Sequence, residues 1–398
     1  MNNSINPEFA LVAACCLWPP SPDRNKAILG AAAGPIDWAR FLRVVARHRV
    51  PGLAWSGLSR AGIAMPTDVV QKLKTDAGRV ARANLVLCAE TVRLQRLFGE
   101  AGLACAFLKG AAVAALAYDD IGIRHAKDID MIVADADLAA ASDLLIAAGY
   151  RRTSPPGAIS PTQLALWRRH GKDMAWRHHG SGIELELHWR LTDVTYLLNE
   201  PFDFSALQPV RVTPSAEVAA LPPAELFGYL CVHGAFHGWS RLKWLADINA
   251  LLAPQPADLI TSYYEFARKK GLERAVAPAL LLCKQIFGLR LPAPLAAELS
   301  ASRVTRLLAR LSLLVMTRGG AETEVYDVPF GTSLISISHL LMAKNWRHWG
   351  AEVWRKSINL DDIFAFPLPR RLDFLYPMLR WPLWLARRFS NAGVSATK

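Results

Sequence analysis

The sequence predicts an α+β protein, a small mixed-sheet core embedded between helical segments on either side. Three observations carry that reading. Apolar residues recur at three- and four-residue spacing from Ile36 to about Glu100, and again after Pro222. Between Leu103 and Leu191 the period switches back and forth between 2 and 3.6. The chain has 398 residues, 52% of them hydrophobic and 20% charged, enough apolar surface for two or three domains and too much for a disordered chain.

Taken in order, Trp38, Phe41, Leu42, Val45 and Ala46 form the apolar side of a first helix, with arginines between them. A second helical stretch runs over 69–98, and Gly102 closes a helical N-terminal region, 1–102. ACAFL (104–108) reads as a short buried strand, AAVAALAY (111–118) as a helix and DIDMIVA (128–134) as a strand. Residues 135–148 return to a helix that stops at Gly149. KDMAWRH (172–178) and IELELHWRL (183–191) alternate on either side of a His-Gly-Ser-Gly turn, the signature of a hairpin. These elements make a core over 103–215. Helices follow at 223–236, 239–252, 258–270 and 273–287 within a helical region, 216–300. A helix near 301–317 opens a basic, tryptophan-rich region, 301–398.

Lysine and arginine number 46 against 34 acids, a net charge of +12 that favours polyanions as partners: nucleotides, nucleic acid or an anionic membrane surface. The mean hydropathy of +0.16 raises the question of a membrane span. The longest stretch without Asp, Glu, Lys or Arg, 328–343, falls short of the ~20 apolar residues that a spanning helix needs. No basic residue precedes Arg24, so no secretory signal is read, and a cytoplasmic location is expected. The 6 cysteines include no CxxC pair and are expected as reduced, buried thiols.

The most informative feature is Asp128-Ile129-Asp130. On a strand, acids at i and i+2 project from one face. Two carboxylates so close repel each other unless they share a divalent cation, and hard oxygen ligands suit Mg²⁺ or Mn²⁺. Glu184, Glu186 and His188 share one face of a second strand. Glu186 is the expected third ligand, Glu184 the alternative, and His188 a partner behind the ligands. Asp128, Asp130 and Glu186 are thus the candidate catalytic and metal-binding residues of a two-metal phosphoryl-transfer site. Upstream, Leu108-Lys109-Gly110 joins a strand to a helix start, where free N–H groups favour phosphate. Lys109 and Gly110 are expected to bind nucleotide, and so is Arg124, although an arginine near acids often only pairs with them.

These residues resemble the nucleotidyltransferase superfamily of DNA polymerase β and kanamycin nucleotidyltransferase. They more closely resemble a bacterial family of uncharacterised nucleotidyltransferases. The likeness rests on LKG (108–110), Tyr118, Arg124, DID (128–130), Gly149-Tyr150, ELHW (186–189) and LCVHGAFHGWSRLKWLADINALL (230–252), with a tryptophan and His-Arg element over Trp38 to Val50. It spans about residues 36–255. The turn departs from the superfamily's Gly-Gly or Gly-Ser, the gap from turn to Asp128 is longer, and glutamate stands at 186 where relatives more often have aspartate. The resemblance implies a polymerase β-like core, an NTP such as ATP as co-substrate, Mg²⁺ or Mn²⁺, and transfer of an NMP. The acceptor would be a peptide, a sugar or another small molecule.

Arg241 and Lys243 are further nucleotide-binding candidates, on a helix that would close over the phosphates. Lys243 and Asp247, at i, i+4, could equally support that helix. His233 and His237 have zinc-like spacing but no third soft ligand, and are expected to be structural. The stretch from Lys344 to Phe389 holds 5 of the 13 tryptophans, and packing is the favoured reading over nucleobase stacking or peripheral membrane contact. Two alternatives to an enzyme stay open. One is a non-catalytic nucleotide- or partner-binding module on the same fold. The other is a basic protein binding nucleic acid or a membrane surface, with nucleic acid not favoured.

Overall fold

The computed structural model describes residues 6–193, 197–198, 202–328, 330–359, 363, 366–380 and 382. Five helices come first: α1 (Pro7–Cys15), α2 (Pro22–Ala31), α3 (Trp38–His48), α4 (Pro51–Ala61) and α5 (Thr67–Glu100). The sheet region follows as β1 (Cys105–Phe107), α6 (Gly110–Tyr118), β2 (Ile129–Val133), α7 (Leu138–Ala147), β3 (Tyr150–Ser154), α8 (Pro161–His170), β4 (Asp173–His178) and β5 (Glu184–His188). A separate hairpin, β6 (Gln208–Thr213) and β7 (Ala216–Ala220), leads into α9 (Pro223–Phe236), α10 (Leu242–Leu252), α11 (Ala257–Lys269) and α12 (Glu273–Phe287). The chain continues through α13 (Ala293–Ala301), α14 (Arg303–Thr317), α15 (Gly331–Leu341) and α16 (Trp346–Ser357).

The fold is mixed α/β, as the sequence pattern predicts. The five-stranded sheet has the order β1-β2-β5-β4-β3, with β2 and β5 parallel and the other pairs antiparallel. Strand alternation splits its two faces. Ile129, Met131 and Val133 of β2 join Leu185 and Leu187 of β5 and Trp176 of β4 in an apolar cluster with α5 and α7. The opposite face carries the acids. α5 is 34 residues long because its buried positions, from Val69 through Leu73, Ala77, Val80 and on to Phe98, hold one face at three- and four-residue spacing. A larger cluster joins α1, α3 and α4 to α6, α9, α10 and α12.

Several elements differ from the sequence expectation. β2 begins at Ile129, so Asp128 lies just before the strand rather than in it. β3, α8 and the β6–β7 hairpin are additional to the expected core, and α1 and α2 to the expected N-terminal helices. β3 is short and carries Arg151 and Arg152, which masks its alternation. The expected boundary at 215/216 falls in the turn between β6 and β7, two paired strands. The cysteines are free and buried. Among the described residues no helix is long and apolar enough to cross a membrane. In the C-terminal region the packing expected of the tryptophans does not hold for Trp346 and Trp349, which are exposed. α16 instead turns His348 and Glu352 inward. Trp381 and Trp384 lie outside the described residues.

Candidate active site

The register of three strands assembles the site. β2 and β5 run side by side with Asp130 opposite Glu186 and Ile132 opposite His188. On the other edge of β5, β4 sets Asp173 opposite His188. Cross-strand partners point to the same side, so Asp130, Glu186, His188 and Asp173 crowd one face. His188 Nε2 stands 3.6 Å from Asp130 Oδ1 and 3.4 Å from Glu186 Oε2, and its Nδ1 stands 3.8 Å from Asp173 Oδ2. Asp130, Glu186 and His188 offer ligand atoms that all lie within 4.8 Å of one another.

Asp128 lines the same cavity but is not one of these three, because it sits ahead of the paired stretch of β2. Glu184, the alternative third ligand, pairs with Lys127 at 3.0 Å at the start of β5. His188, expected behind the ligands, groups with Asp130 and Glu186. Asp173 was not singled out from the sequence. Its pairing with β5, in the hairpin that the sequence predicts, brings it to the site.

Lys109 caps the N-terminus of α6 and its Nζ lies 2.7 Å from Asp130 Oδ1. Gly110 has φ +60, a left-handed conformation that glycine adopts without a side-chain clash, and its missing Cβ would lie 4.0 Å from the Asp128 carbonyl. Burial pushes the Asp130 carboxyl up, but Lys109 and His188 outweigh it and hold it well below the usual range. Asp128 is raised, by burial and by the neighbouring Asp130 charge. Burial and Lys172 oppose protonation of His188, while Asp130, Glu186 and Asp173 favour it and win. Two unlike carboxylates beside a cation-ready imidazole form an environment that a divalent ion would neutralise.

Arg124 has a different setting from the one expected. Its Nε donates to both carboxylate oxygens of Asp247 at 3.0 Å and its Nη2 to Oδ2 at 2.9 Å, while the Tyr118 hydroxyl donates to Oδ1 at 2.9 Å. Arg124 borders the cavity, but its guanidinium is committed to a buried ion pair joining the loop before Asp128 to α10. Asp247 is therefore not the helix partner of Lys243, whose Nζ donates to the His125 carbonyl at 3.2 Å. Burial, with Arg124 adding to it, lowers Lys243 to about 7. Arg241 pairs with Glu324 at 2.8 Å. Asn84 of α5 pins the same loop, donating from Nδ2 to the carbonyls of Ile121, Gly122 and Arg124 at 3.0, 3.2 and 2.6 Å. His233 and His237 pack edge to face, and His237 stacks on Trp244 at 4.5 Å.

All eight predicted site residues border one cavity of ≈ 680 Å³. α9 and α10 supply its opposite wall through Tyr229, His233 and Trp244, and the C-terminal region closes it with Glu324, Tyr326, Ser336 and Arg355. A family described as uncharacterised nucleotidyltransferases matches residues 34–288. The chain belongs to that family. The matched region contains the whole sheet and every predicted site residue, whereas the wall from Glu324 to Arg355 lies beyond it. No curated protein matches the chain significantly.

Proposed function

We propose that the chain transfers a nucleoside monophosphate from an NTP to an acceptor hydroxyl or phosphate, with Asp128, Asp130 and Glu186 as its catalytic, metal-binding carboxylates. The observation that carries this reading is the register that sets Asp130 beside Glu186 and His188 on the floor of the cavity. The donor set fits a hard divalent ion. Both ring nitrogens of His188 are buried without a hydrogen-bond partner among the described residues, and Nε2 faces two carboxylate oxygens. Mg²⁺ or Mn²⁺ bound there would neutralise the triphosphate and lower the pKa of the acceptor oxygen.

The chain's own residues then have separate tasks. Glu186 is 38% exposed at its side chain, the most open of the three clustered residues, and is placed to take the acceptor proton. The acceptor oxygen bonds to the α-phosphorus as the bond to pyrophosphate breaks, and pyrophosphate leaves with the electron pair. Lys109 is drawn from Asp130 towards the phosphates, and the Gly110 turn brings backbone close to them. Arg241 and Lys243 face the triphosphate from α10. Arg124 acts through Asp247, holding the loop that delivers Asp128. ATP, GTP, CTP and UTP labelled at the α-phosphate, incubated with Mg²⁺ or Mn²⁺ and candidate peptides or sugars, test the reading. Label transfer with pyrophosphate release is expected. Nucleotide binding without any pyrophosphate release would mark a non-catalytic module instead, and transfer surviving Asp128→Asn with Asp130→Asn would remove the site assignment.

A further inference from the structure

The charges around the cavity are unevenly paired. Lys109, Arg124, Lys127, Lys172, Arg241 and Arg355 each have a carboxylate within 4.0 Å. Among the described residues, the remaining lysine and arginine on the wall, Lys243 and Arg49, have none. Arg49 also makes no side-chain hydrogen bond among the described residues. It comes from the N-terminal helices, far from the sheet in sequence, and feels the charges of Arg241, Glu324 and Asp128. Its neighbour His48 fixes the approach, because the Leu242 N–H at the start of α10 donates to His48 Nδ1 at 2.9 Å.

The backbone at Arg49 is equally unusual. It ends α3 at φ 57, ψ 46, the left-handed conformation that glycine occupies most readily. The turn is closed by main-chain bonds alone, Arg49 N to Ala46 O at 3.1 Å and Val50 N to Val45 O at 3.2 Å. Nothing in the turn needs a side chain, yet a long cation stands where glycine would be less strained, and strain of this kind gathers at ligand clamps.

We propose that Arg49 is a phosphate-binding residue of this site, gripping the β- and γ-phosphates that leave as pyrophosphate. The inference rests on the nucleotidyl-transfer reading above. With the α-phosphate at Asp128 and Asp130, the tail of the triphosphate needs cations that are not already neutralised. Arg49 and Lys243 supply them from the lining of the cavity that also holds Asp128 and Arg241. Elsewhere on the lining, Lys172 is already paired with Asp173, and Asp193 adds a further acid. The planar guanidinium forms paired hydrogen bonds with a phosphate, which an ammonium cannot match.

Titration calorimetry of the full chain with inorganic tripolyphosphate and with ATP, both with Mg²⁺, tests this in wild type, Arg49→Gly and Arg49→Lys. Arg49→Gly is expected to melt at or above the wild-type temperature and to bind tripolyphosphate at least about tenfold more weakly. Arg49→Lys is expected to recover part of that affinity. Tripolyphosphate affinity unchanged in Arg49→Gly overturns the assignment, and so does wild-type protein that binds ATP but not tripolyphosphate. A lowered melting temperature with unchanged affinity makes Arg49 structural. Wild-type protein that binds neither probe, nor GTP, CTP or UTP, overturns the nucleotide reading itself and this inference with it.

Discussion

At the scale of single residues, the site is a balance of charges that each need a partner. Asp130 is 3% exposed and is matched by Lys109 and His188, so Asp130→Asn removes a proposed metal ligand and leaves the lysine without its counter-ion. We expect kcat/KM for nucleotidyl transfer to fall by about a hundredfold or more, as when a group stabilising transition-state charge is lost. Arg124 and Asp247 behave differently, because they neutralise each other in a buried ion pair that ties the loop before Asp128 to α10. Arg124→Met strands the Asp247 carboxylate and is expected to cost about 3–5 kcal/mol in urea unfolding. The double variant Arg124→Met with Asp247→Leu should regain most of that stability. If the single variant unfolds like wild type, the ion pair does not hold the loop. Asp130, Glu186 and Lys109 were legible in the sequence because strand alternation and a strand-to-helix turn are local signals. Arg49 and Asn84 were not, since each reaches its partners through packing between distant segments, and Asp173, within the expected hairpin, was passed over.

At the scale of elements, α10 links the N-terminal helices, through His48, to the loop before Asp128, through Asp247. Its first N–H is capped by His48, which is 0% exposed and accepts that bond only while Nδ1 carries no proton. Burial, reinforced by Arg47, holds His48 well below 6.5, and burial with Lys243 lowers His125 to about 4. A depressed histidine pKa stabilises the folded state above the unfolded value of about 6.5, and that contribution is lost as pH falls below it. The melting temperature should therefore drop steadily from pH 7 towards pH 4.5, and His48→Gln should flatten the slope. A profile for His48→Gln as steep as the wild type's would show that the cap does not titrate in this range. The loop before Asp128 depends in the same way on α5. Asn84→Ala leaves buried carbonyls unsatisfied and is expected to cost about 1–3 kcal/mol. The helices from Trp38 to Glu100 and the main strands were readable from their periodicity. β3 and the β6–β7 hairpin were not, because short strands with arginines or a proline break the alternation.

At the scale of the whole molecule, the net charge of +12 resolves into paired and unpaired parts. Much of the basic lining of the cavity is neutralised locally, and among the described residues Arg49 and Lys243 are the lining cations without a carboxylate partner. NTP binding should therefore weaken severalfold as added salt shortens the screening length from about 10 Å to about 3 Å, when followed by calorimetry. Affinity indifferent to salt would argue against a cationic phosphate site. The family match ends at residue 288, yet Glu324, Tyr326, Ser336 and Arg355 complete the wall. Nothing in the sequence of the C-terminal region announced that contact, because it depends on how α15 docks against α9. Ile335 lies against Gly238, where an added Cβ would come within 2.7 Å of its side chain.

The central claim is that the carboxylates on β2 and β5 hold divalent metal together with a triphosphate, and it can be measured without knowing the acceptor. Mn²⁺ binding followed by electron paramagnetic resonance, with a non-hydrolysable NTP analogue present, reads it directly. Wild-type protein should bind Mn²⁺ tightly with the analogue and weakly without it, and Asp130→Asn with Glu186→Gln should lose that binding while staying folded. Mn²⁺ affinity that is the same in the wild type and in this folded double variant would contradict the account.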